Sequence, residues 1–474
     1  MERLNLCFRI TITSLVFFLV PLLCSAQGNN IYVSSFGAKG DGKTDDTRAI
    51  NAAVLSAAKN SAKLYFEKNK TYLVDTVSLV GTKATPFQKL EIIGNNANIK
   101  CINRGSNNVF KFFFVNGLSI SNLNISGNKA QKKDGNGLAV YYSKDLRIVN
   151  CKIQDCKFSG ILIAWVKSAN VSKNLIFNNG DGTLPSDGVS VHSLYQGNIS
   201  SNVIYNNNPL DTQDGDGIQI GSIKYGITGY YDVKSIQKIE INNNICYLHG
   251  RRGIKIQRSN VVAENNFLSD NAIGVSIVNG LDLINNIQVK SNVIQKSYKG
   301  ITLDGGGKQN ISDVNISDNY LLGSIMTDRI LLQDASGIKI ARNTFDRHRI
   351  KVFDAKKKMV NYSNILVSKN VQDVDSSQSR LVDLNGSVSI LATKLPSVGL
   401  NKIENDAVLR NIIAKTTNYK APINGDVFCV FNNAIVNRAK VVVSYKGTST
   451  PYILDKNKIL VIYSFENKLF SFRY

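Results

Sequence analysis

A short pattern of apolar and polar residues recurs along the middle of the chain. A glycine is followed by an apolar, a variable and a second apolar residue, and side chains two apart share one face of a β-strand. The pattern occupies residues 137–140, 160–163, 188–191, 217–220, 253–256, 274–277 and 300–303. A strand-sized unit that recurs with a period of roughly 20–50 residues is typical of a solenoid. We expect the apolar pairs to face inward, and the glycine and the variable residue to face outward.

A second pattern, apolar-x-x-Asn-x-apolar, accompanies the first. Asparagine side chains stacked at a turn can hydrogen-bond along the column and tolerate a left-handed backbone, so we interpret them as scaffold. The predicted ladder contains Asn174, Asn202, Asn244, Asn265, Asn292, Asn319, Asn343 and Asn370. The longest interval between neighbours, 42 residues, separates Asn202 from Asn244.

Charged residues precede the glycine in three of the repeats. These residues are Asp187, Asp216 and Arg252, and stacking of the coils at about 4.8 Å would place them in one column. The variable positions of the same repeats, Ser190, Gln219 and Lys255, would form the next column. Long connections flank Asp187 and Asp216, and long loops on a repeat scaffold usually carry function. We therefore predict a site on this face.

Composition and the N-terminus narrow the class of partner. The chain has 57 Lys and Arg against 35 Asp and Glu, a formal charge of +22, which favours an anionic partner. Basic residues precede an apolar run over 10–23, and Cys24-Ser25-Ala26 resembles a cleavage site, so we predict a signal peptide over residues 1–26. Lipidation of Cys24 is the alternative. For a secreted or periplasmic protein we expect an acidic polysaccharide, not nucleic acid; a basic surface that is merely solvated is the other possibility.

The five cysteines that remain after cleavage are odd in number and irregularly spaced. This pattern predicts that the cysteines are buried core residues and do not form a disulfide framework. A Cys151–Cys156 bridge is the alternative. Residues 37–44 satisfy the phosphate-loop pattern, but no βαβ series follows them, so we expect no nucleotide. Instead, a helix over 46–59, with Ile50, Ala53, Val54 and Ala57 on one stripe, would cap the first coil.

The run FGAKGDGKTDDTRAINAAV resembles the N-terminal segment of the pectate-lyase-like superfamily, which includes polygalacturonases, rhamnogalacturonases, lyases and phage tailspike depolymerases. The resemblance implies an all-β fold, a right-handed parallel β-helix, which we place over residues 27–400 with the capping helix at its start. Beyond about residue 401, short strand-like runs predict a small C-terminal β module over 401–474.

The resemblance to polygalacturonases also bears on single residues. In that family successive coils open with N-T-D-G, D-D, G-H-G and R-I-K. Asp187-Gly188 matches the first motif and Asp216 the second aspartate of the pair. Arg252 stands where the family has histidine, and Ser276 and Val278 occupy the places of the family's Arg and Lys. The reaction therefore stays open.

Two reactions fit these residues. Hydrolysis would use a carboxylic acid and a carboxylate from the candidate catalytic residues Asp187, Asp214 and Asp216. β-Elimination would use Lys255 as base, with the uronate neutralised by Arg252 or by Ca²⁺ held by the same three aspartates; hydrolysis requires no cofactor. In both reactions the expected substrate-binding residues are Arg252, Lys255, His192, Gln219, Arg258 and Tyr225.

Non-enzymatic interpretations accompany the catalytic ones. The column could serve a glycan-binding protein without catalysis, or form a structural ladder of ion pairs on an exposed ridge. His192 should point outward beside Ser190, whereas His249 lies in a turn; a lone histidine is more often an ordinary surface or turn residue. Candidates for stacking on sugar faces are Trp165, Tyr195, Tyr225, Tyr230 and Tyr231.

Overall fold

The chain winds into a right-handed parallel β-helix whose coils share two long sheets. In the computed structural model, residues 30–345 are described apart from 103–107, 131–134, 183–184, 209–214, 223–236, 281–282, 307–309 and 323–329; beyond Phe345 the described residues are those of the strands given below. The predicted signal peptide lies outside the described residues. Within the described part of the chain, no helix combines the length and apolar character needed to span a membrane.

The sheet that carries the glycine pattern, here called the site sheet, has eleven parallel strands. Its strands are Val77–Val80, Phe110–Phe113, Leu138–Tyr141, Ile161–Ala164, Val189–His192, Asp216–Gly221, Arg252–Ile256, Ile273–Val278, Lys299–Asp304, Ile330–Gln333 and Ile350–Phe353. Each strand pairs with the strand of the next coil in sequence order. Every residue of the repeat therefore lies beside its equivalent one coil away.

The second sheet, here called the long sheet, has 24 strands in two columns. Its first members are Asn30–Tyr32, Asp41–Asp45, Lys63–Tyr65, Thr71–Val74, Leu90–Cys101 and Leu118–Ser126. One column continues with Leu146–Val149, Ser168–Ser172, Gln196–Ser200, Ile239–Asn242, Val261–Glu264, Ile287–Lys290, Val314–Ser317, Ile338–Ala341 and Ile365–Ser368. The other continues with Lys152–Gln154, Leu175–Phe177, Val203–Tyr205, Ile245–Tyr247, Phe267–Ser269, Val293–Gln295, Tyr320–Leu322, Thr344–Phe345 and Val371–Gln372.

Apolar side chains from the two sheets fill the interior. The apolar pairs of the repeats, such as Ile218 and Ile220 or Ile254 and Ile256, are fully buried, as predicted. The glycines do not face outward, which corrects the sequence prediction. A Cβ atom at Gly188 would lie 2.2 Å from Cγ2 of Ile204, a fully buried core residue. Glycine is therefore required, because any side chain at this position would project into the packed interior.

The asparagine ladder exists, with one correction. Asn174 donates from Nδ2 to Oδ1 of Asn202 at 2.9 Å, and equivalent bonds of 2.9–3.0 Å continue through Asn244, Asn266, Asn292, Asn319 and Asn343. Asn266, not Asn265, is the ladder residue. The residue before each ladder asparagine takes the left-handed backbone, and Asn265 is one of these, with φ 58°. Asn370 lies outside the described residues.

The predicted capping helix is confirmed as Thr47–Lys59, with Ile50, Ala53, Val54 and Ala57 buried. Asp46 binds the preceding loop, because its carboxylate accepts the backbone N–H of Lys39 at 2.7 Å and of Gly40 at 3.0 Å. Asp41 accepts the N–H of Lys43 at 2.9 Å and of Thr44 at 2.8 Å. Carboxylates of the chain thus hold the amides that a phosphate loop would offer to a nucleotide.

An antiparallel sheet and a smaller mixed sheet follow the β-helix in sequence. One contains Val388–Lys394, Ser397–Ile403, Val427–Phe431, Ile459–Phe465 and Lys468–Arg473; the other contains Ala414–Lys420, Arg438–Tyr445 and Thr448–Asp455. Their pairings join residues on both sides of the boundary predicted at 400/401. Cys101, Cys151, Cys156 and Cys246 are buried and take part in no disulfide, so Cys151 and Cys156 form no bridge; Cys429 lies outside the part whose side chains are described.

Candidate functional site

A ladder of hydrogen bonds, each from a backbone N–H to a side-chain oxygen one coil earlier, runs along the positions that precede the repeat glycines. Asn108 Oδ1 accepts the N–H of Asn136 at 3.0 Å, and Asn136 Oδ1 accepts that of Ser159 at 3.1 Å. Ser159 Oγ accepts the N–H of Asp187 at 3.0 Å, and Asp187 Oδ1 accepts that of Asp216 at 3.2 Å. The two aspartates therefore occupy consecutive coils of one column, as predicted.

Two cations meet the Asp216 carboxylate. Arg252 is paired with Asp216 across the strands, and its Nη1 lies 3.2 Å from both carboxylate oxygens. Lys255 Nζ lies 3.6 Å from Oδ2 of the same carboxylate. Asp216 is fully buried, and the side chains of Arg252 and Lys255 are 5% and 8% exposed. With Asp187, which is also buried, these residues form the cluster that we call the ion cluster.

The variable positions form the second predicted column. Ser190 pairs with Gln219, Gln219 with Lys255, and Lys255 with Ser276. All four side chains are buried, so this part of the face is not the exposed ridge that a surface ladder would require. Gln219 Nε2 donates to Oε1 of Gln257 at 3.2 Å. Gln257 was not singled out from sequence because it follows the repeat frame.

His192 and Arg258 occupy different surroundings. His192 is half-buried, and its Nε2 lies 3.0 Å from Ser190 Oγ, so it points outward beside Ser190 as predicted. Arg258 is buried, and its guanidinium donates to the carbonyls of Leu194 and Ser259. Those bonds tie Arg258 to turn backbone, in contrast to Arg252, which contacts a catalytic candidate.

His249 is part of the scaffold. It follows Asn179 and Asn207 in a second ladder, its N–H donates to Asn271 Oδ1 at 3.1 Å, and its Nε2 lies 3.2 Å from the carbonyl of Ile204. Because a carbonyl only accepts, Nε2 carries the proton. Burial lowers the pKa of His249 to about 3, so the ring is neutral at pH 7.

Two predicted site residues, Asp214 and Tyr225, lie outside the described residues. Among the residues that the structure describes, no group of three or more His, Cys, Asp or Glu could hold a metal ion. The calcium hypothesis includes Asp214 and therefore stays a prediction. Of the other two ligands proposed for it, Asp216 is bound by Arg252 and Lys255.

Aromatic side chains that the sequence prediction mostly missed cover the preceding coils of the site sheet. Phe113 stacks on Tyr141 with ring centroids 4.4 Å apart. Phe114 stacks on Tyr142 at 5.0 Å, and Tyr142 on Trp165 at 4.7 Å. These rings lie at the two positions that follow the repeat frame, so extending the frame by two residues would have found them.

Burial of the ion cluster has an energetic cost. Charges removed from water lose several kcal/mol of hydration each, and well-packed apolar residues are often as stable as a buried ion pair. Asn136 and Ser159 show that neutral side chains can carry the same ladder. Charged groups held in this way are typical of functional sites, which favours a functional over a purely structural interpretation.

Comparison with known proteins places the fold in a family. Residues 30–276, just over half of the chain, match the family described as rhamnogalacturonase A/epimerase, pectate lyase-like. A polygalacturonase of Arabidopsis thaliana, ADPG1, is 29% identical over 133 residues, which are 28% of this chain and 28% of that protein. The chain thus aligns with less than a third of the length of that relative.

Solved structures share the architecture. The A-module of the mannuronan C-5 epimerase AlgE4 of Azotobacter vinelandii superposes with a TM-score of 0.52 at 18% identity, covering 73% of this chain and 98% of that one. The surface adhesin PfbA of Streptococcus pneumoniae superposes with a TM-score of 0.50 at 16% identity, covering 78% and 98%. At these identities the likeness concerns the fold alone.

Proposed function

Because the chain belongs to the rhamnogalacturonase A/epimerase, pectate lyase-like family, we propose that it is an enzyme that cleaves glycosidic bonds in an acidic, uronate-containing polysaccharide. The observation that carries the proposal is the ion cluster, in which Asp216 is held by Arg252 and Lys255 one coil from Asp187. The relative named polygalacturonase supports the substrate class, and the charge of +22 supports an anionic polymer.

Hydrolysis is the reaction that we assign first. It needs a carboxylic acid to protonate the leaving oxygen and a carboxylate to activate water or attack the sugar. Arg252 and Lys255 both contact the carboxylate of Asp216, so we assign it the carboxylate role. Asp187 takes the acid role, and Asp214 is retained as a second candidate for it. Arg252 and Lys255 position Asp216 and supply positive charge for a uronate group.

Elimination is the second candidate, favoured by the contact between His192 and Ser190. Lys255, the base expected from the sequence, is instead paired with Asp216, with Nζ 3.6 Å from Oδ2. The half-buried His192 has a ring nitrogen 3.0 Å from Ser190 Oγ and could accept the proton beside the uronate carboxylate. Arg252 would stabilise the charge that develops there.

The test is incubation of the purified protein with polygalacturonate, rhamnogalacturonan, alginate and glucuronan, with and without chelator. Hydrolysis releases reducing ends without new ultraviolet absorbance, whereas elimination produces an unsaturated sugar that absorbs near the ultraviolet edge. Asp216→Asn should lower the rate by about 10²–10⁴-fold. The matched control Asp318→Asn, in the exposed pair with Arg342, should leave the rate unchanged. Absence of product from every polymer with the wild-type protein would contradict the proposal.

Export belongs to the same proposal. The basic, apolar and small-residue segments of residues 1–26 support a signal peptide that is removed after Ala26. Protein recovered from outside the cytoplasm should begin at Gln27, as measured by mass spectrometry of the intact chain. Recovery of the full-length chain from the cytoplasm alone would contradict export without affecting the assignment of the reaction.

A further inference from the structure

The aromatic side chains of the site sheet form two stacked rows next to the ion cluster. The first row contains Phe113 and Tyr141, and the second contains Phe114, Tyr142 and Trp165. The rings of Tyr142 and Trp165 are nearly parallel, at 3°. Because the rings within a row cover one another's faces, the half-buried Phe113, Tyr141 and Trp165 present mainly ring edges to solvent. We call this surface the aromatic platform.

The aromatic platform is continuous with the candidate active site. Phe113 pairs with Tyr141, Tyr141 with Ala164, and Ala164 with His192, so the first row leads along one column to His192. The backbone N–H of Trp165 donates to the carbonyl of His192 at 3.0 Å, which places these residues on neighbouring coils. At about 4.8 Å per coil, the rows extend the site by several coils toward the N-terminal end.

The second row occupies a left-handed turn position of the scaffold. Phe114, Tyr142 and Trp165 have φ of 53°, 52° and 55°, in the left-handed region that bulky side chains rarely adopt. Among the residues that the structure describes, aromatic side chains take this conformation only here. On the next coil the same position is Ser193, with φ 55°. The turn of the scaffold therefore fixes where these rings stand, and successive coils place them one above the other.

Positive charge accompanies the rings. Lys111 Nζ lies 5.4 Å from the centroid of Phe113, and Lys111 lies in the column that leads through Ala139 and Leu162 to Ser190. Lys144 and Lys167, two residues beyond Tyr142 and Trp165, are exposed. A ligand on the aromatic platform would therefore meet apolar ring edges flanked by cations.

We propose that the aromatic platform is a set of apolar subsites that bind consecutive sugar rings of the acidic polysaccharide on the N-terminal side of the ion cluster. This inference rests on the proposed function. The C–H groups on the face of a pyranose pack against the exposed edges of the rings and against the terminal face of Trp165, which ends its row, while the uronate carboxylates stay within reach of lysines. The ion cluster then acts on the linkage, and the aromatic platform positions the chain.

Trp165 provides a direct test, because it is the only tryptophan in the chain. Hexasaccharides of galacturonate, glucuronate, mannuronate and guluronate are titrated into the Asp216→Asn protein, and tryptophan emission is recorded. We expect a saturable change in emission with at least one of them. Tyr141→Leu should weaken that binding by up to about tenfold, the contribution of one stacked ring pair.

The matched control is Tyr205→Leu. Tyr205 is half-buried and stacks between Phe177 and Tyr247 at 4.9 Å on the long sheet, so the substitution removes a similar ring from a remote stack. It should leave the affinity unchanged, and a similar loss of thermal stability in both variants would exclude unfolding as the cause. Equal affinities of the Tyr141→Leu and parent proteins would overturn the inference.

The remaining outcomes separate the inference from the proposed function. If the wild-type protein degrades a polymer whose hexasaccharide binds, as shown by calorimetry, without changing the emission of Trp165, the inference fails and the function stands. An equal response to a neutral cello-hexasaccharide would overturn the assignment of an acidic ligand. Absence of both binding and product for every uronate polymer would remove the function and the inference together.

Discussion

The N-terminal and central coils of the site sheet use one column of positions in different ways. In the N-terminal coils the column contains Asn108, Asn136 and Ser159, and aromatic rings cover the neighbouring face. In the central coils the column changes to Asp187 and Asp216, two cations contact Asp216, and His192 and Ser193 stand at the positions of the rings. From Asn136 to Asp216, each backbone N–H donates to the side-chain oxygen of the preceding coil, whichever residue provides it.

The comparison separates what the scaffold requires from what the site adds. The ladder needs only one acceptor at each coil, and neutral Asn and Ser provide it. The negative charge of Asp187 and Asp216 is therefore additional to the structural role. Because burying a charge costs free energy, the charged column of the central coils stabilises the fold less than the neutral column of the N-terminal coils.

The largest expected effect comes from removing the central carboxylate. Asp216→Ala leaves Arg252 and Lys255 buried without their partner, so the free energy of unfolding should fall by about 3–5 kcal/mol. Asp318→Ala removes the carboxylate of the exposed pair with Arg342 and should cost much less. Denaturant titration of both proteins measures the difference. Equal losses of unfolding free energy would show that the ion cluster contributes no more to stability than a surface ion pair.

Asp187→Asn isolates charge from hydrogen bonding. An asparagine can accept the N–H of Asp216 as Asn136 accepts that of Ser159, so the free energy of unfolding should change by less than about 1 kcal/mol. The rate on the best polymer should nevertheless fall by about 100-fold or more if Asp187 is the acid. Steady-state kinetics and denaturant titration on the same preparation provide both values. Full activity would remove Asp187 from the mechanism.

A smaller effect is expected beneath the ion cluster, at His249. Asn207 Nδ2 and His249 Nδ1 are buried and have no hydrogen-bond partner among the described residues, and His249→Asn would restore an acceptor for Asn207. The folded pKa of about 3 lies below the usual value of 6.5, so the unfolded chain binds more protons between these values and stability falls as the pH drops through this window. The slope is about 1.4 kcal/mol per pH unit.

The measurement for His249 is denaturant titration from pH 7 to pH 4. His249→Asn should flatten the pH dependence relative to the wild-type protein, whereas His192→Asn serves as the half-buried control. Parallel pH profiles of the wild-type and His249→Asn proteins would contradict a buried neutral histidine.

The smallest effect is expected at the far end of the aromatic platform. Lys111→Met removes a cation beside Phe113, and the affinity for a uronate hexasaccharide should fall by about 0.5–1 kcal/mol. The affinity of the variant should also depend less steeply on salt. Calorimetry at two ionic strengths measures both quantities. An unchanged salt dependence would place the bound oligosaccharide away from Lys111.

The period of the repeat and the stacking of its coils explain which features could be predicted from the sequence. The spacing of apolar residues gave the strands and the inward faces of Ile218 and Ile220, and the repeat register brought Asp187, Asp216, Arg252 and Lys255 together. The helix Thr47–Lys59 followed from its apolar stripe. Each of these features depends on local pattern or on alignment of equivalent positions, both of which are visible in one sequence.

Features that depend on the turn between sheets were harder to predict. Asn265 and Asn266 are adjacent asparagines, and only the backbone shows that the first is left-handed while the second joins the ladder. The inward direction of Gly188 depends on the bend that precedes its strand. Burial of Lys255 and the carbonyl contacts of Arg258 likewise depend on tertiary packing, which apolar periodicity does not describe.

The most direct test of the central claim is a crystal structure of the Asp216→Asn protein with the uronate hexasaccharide that binds best. We expect sugar rings along the outer face of the site sheet, with one ring stacked on Trp165 and a carboxylate near Arg252 and Lys255. An oligosaccharide bound on the long sheet or on the C-terminal sheets, with the ion cluster unaltered, would contradict the account.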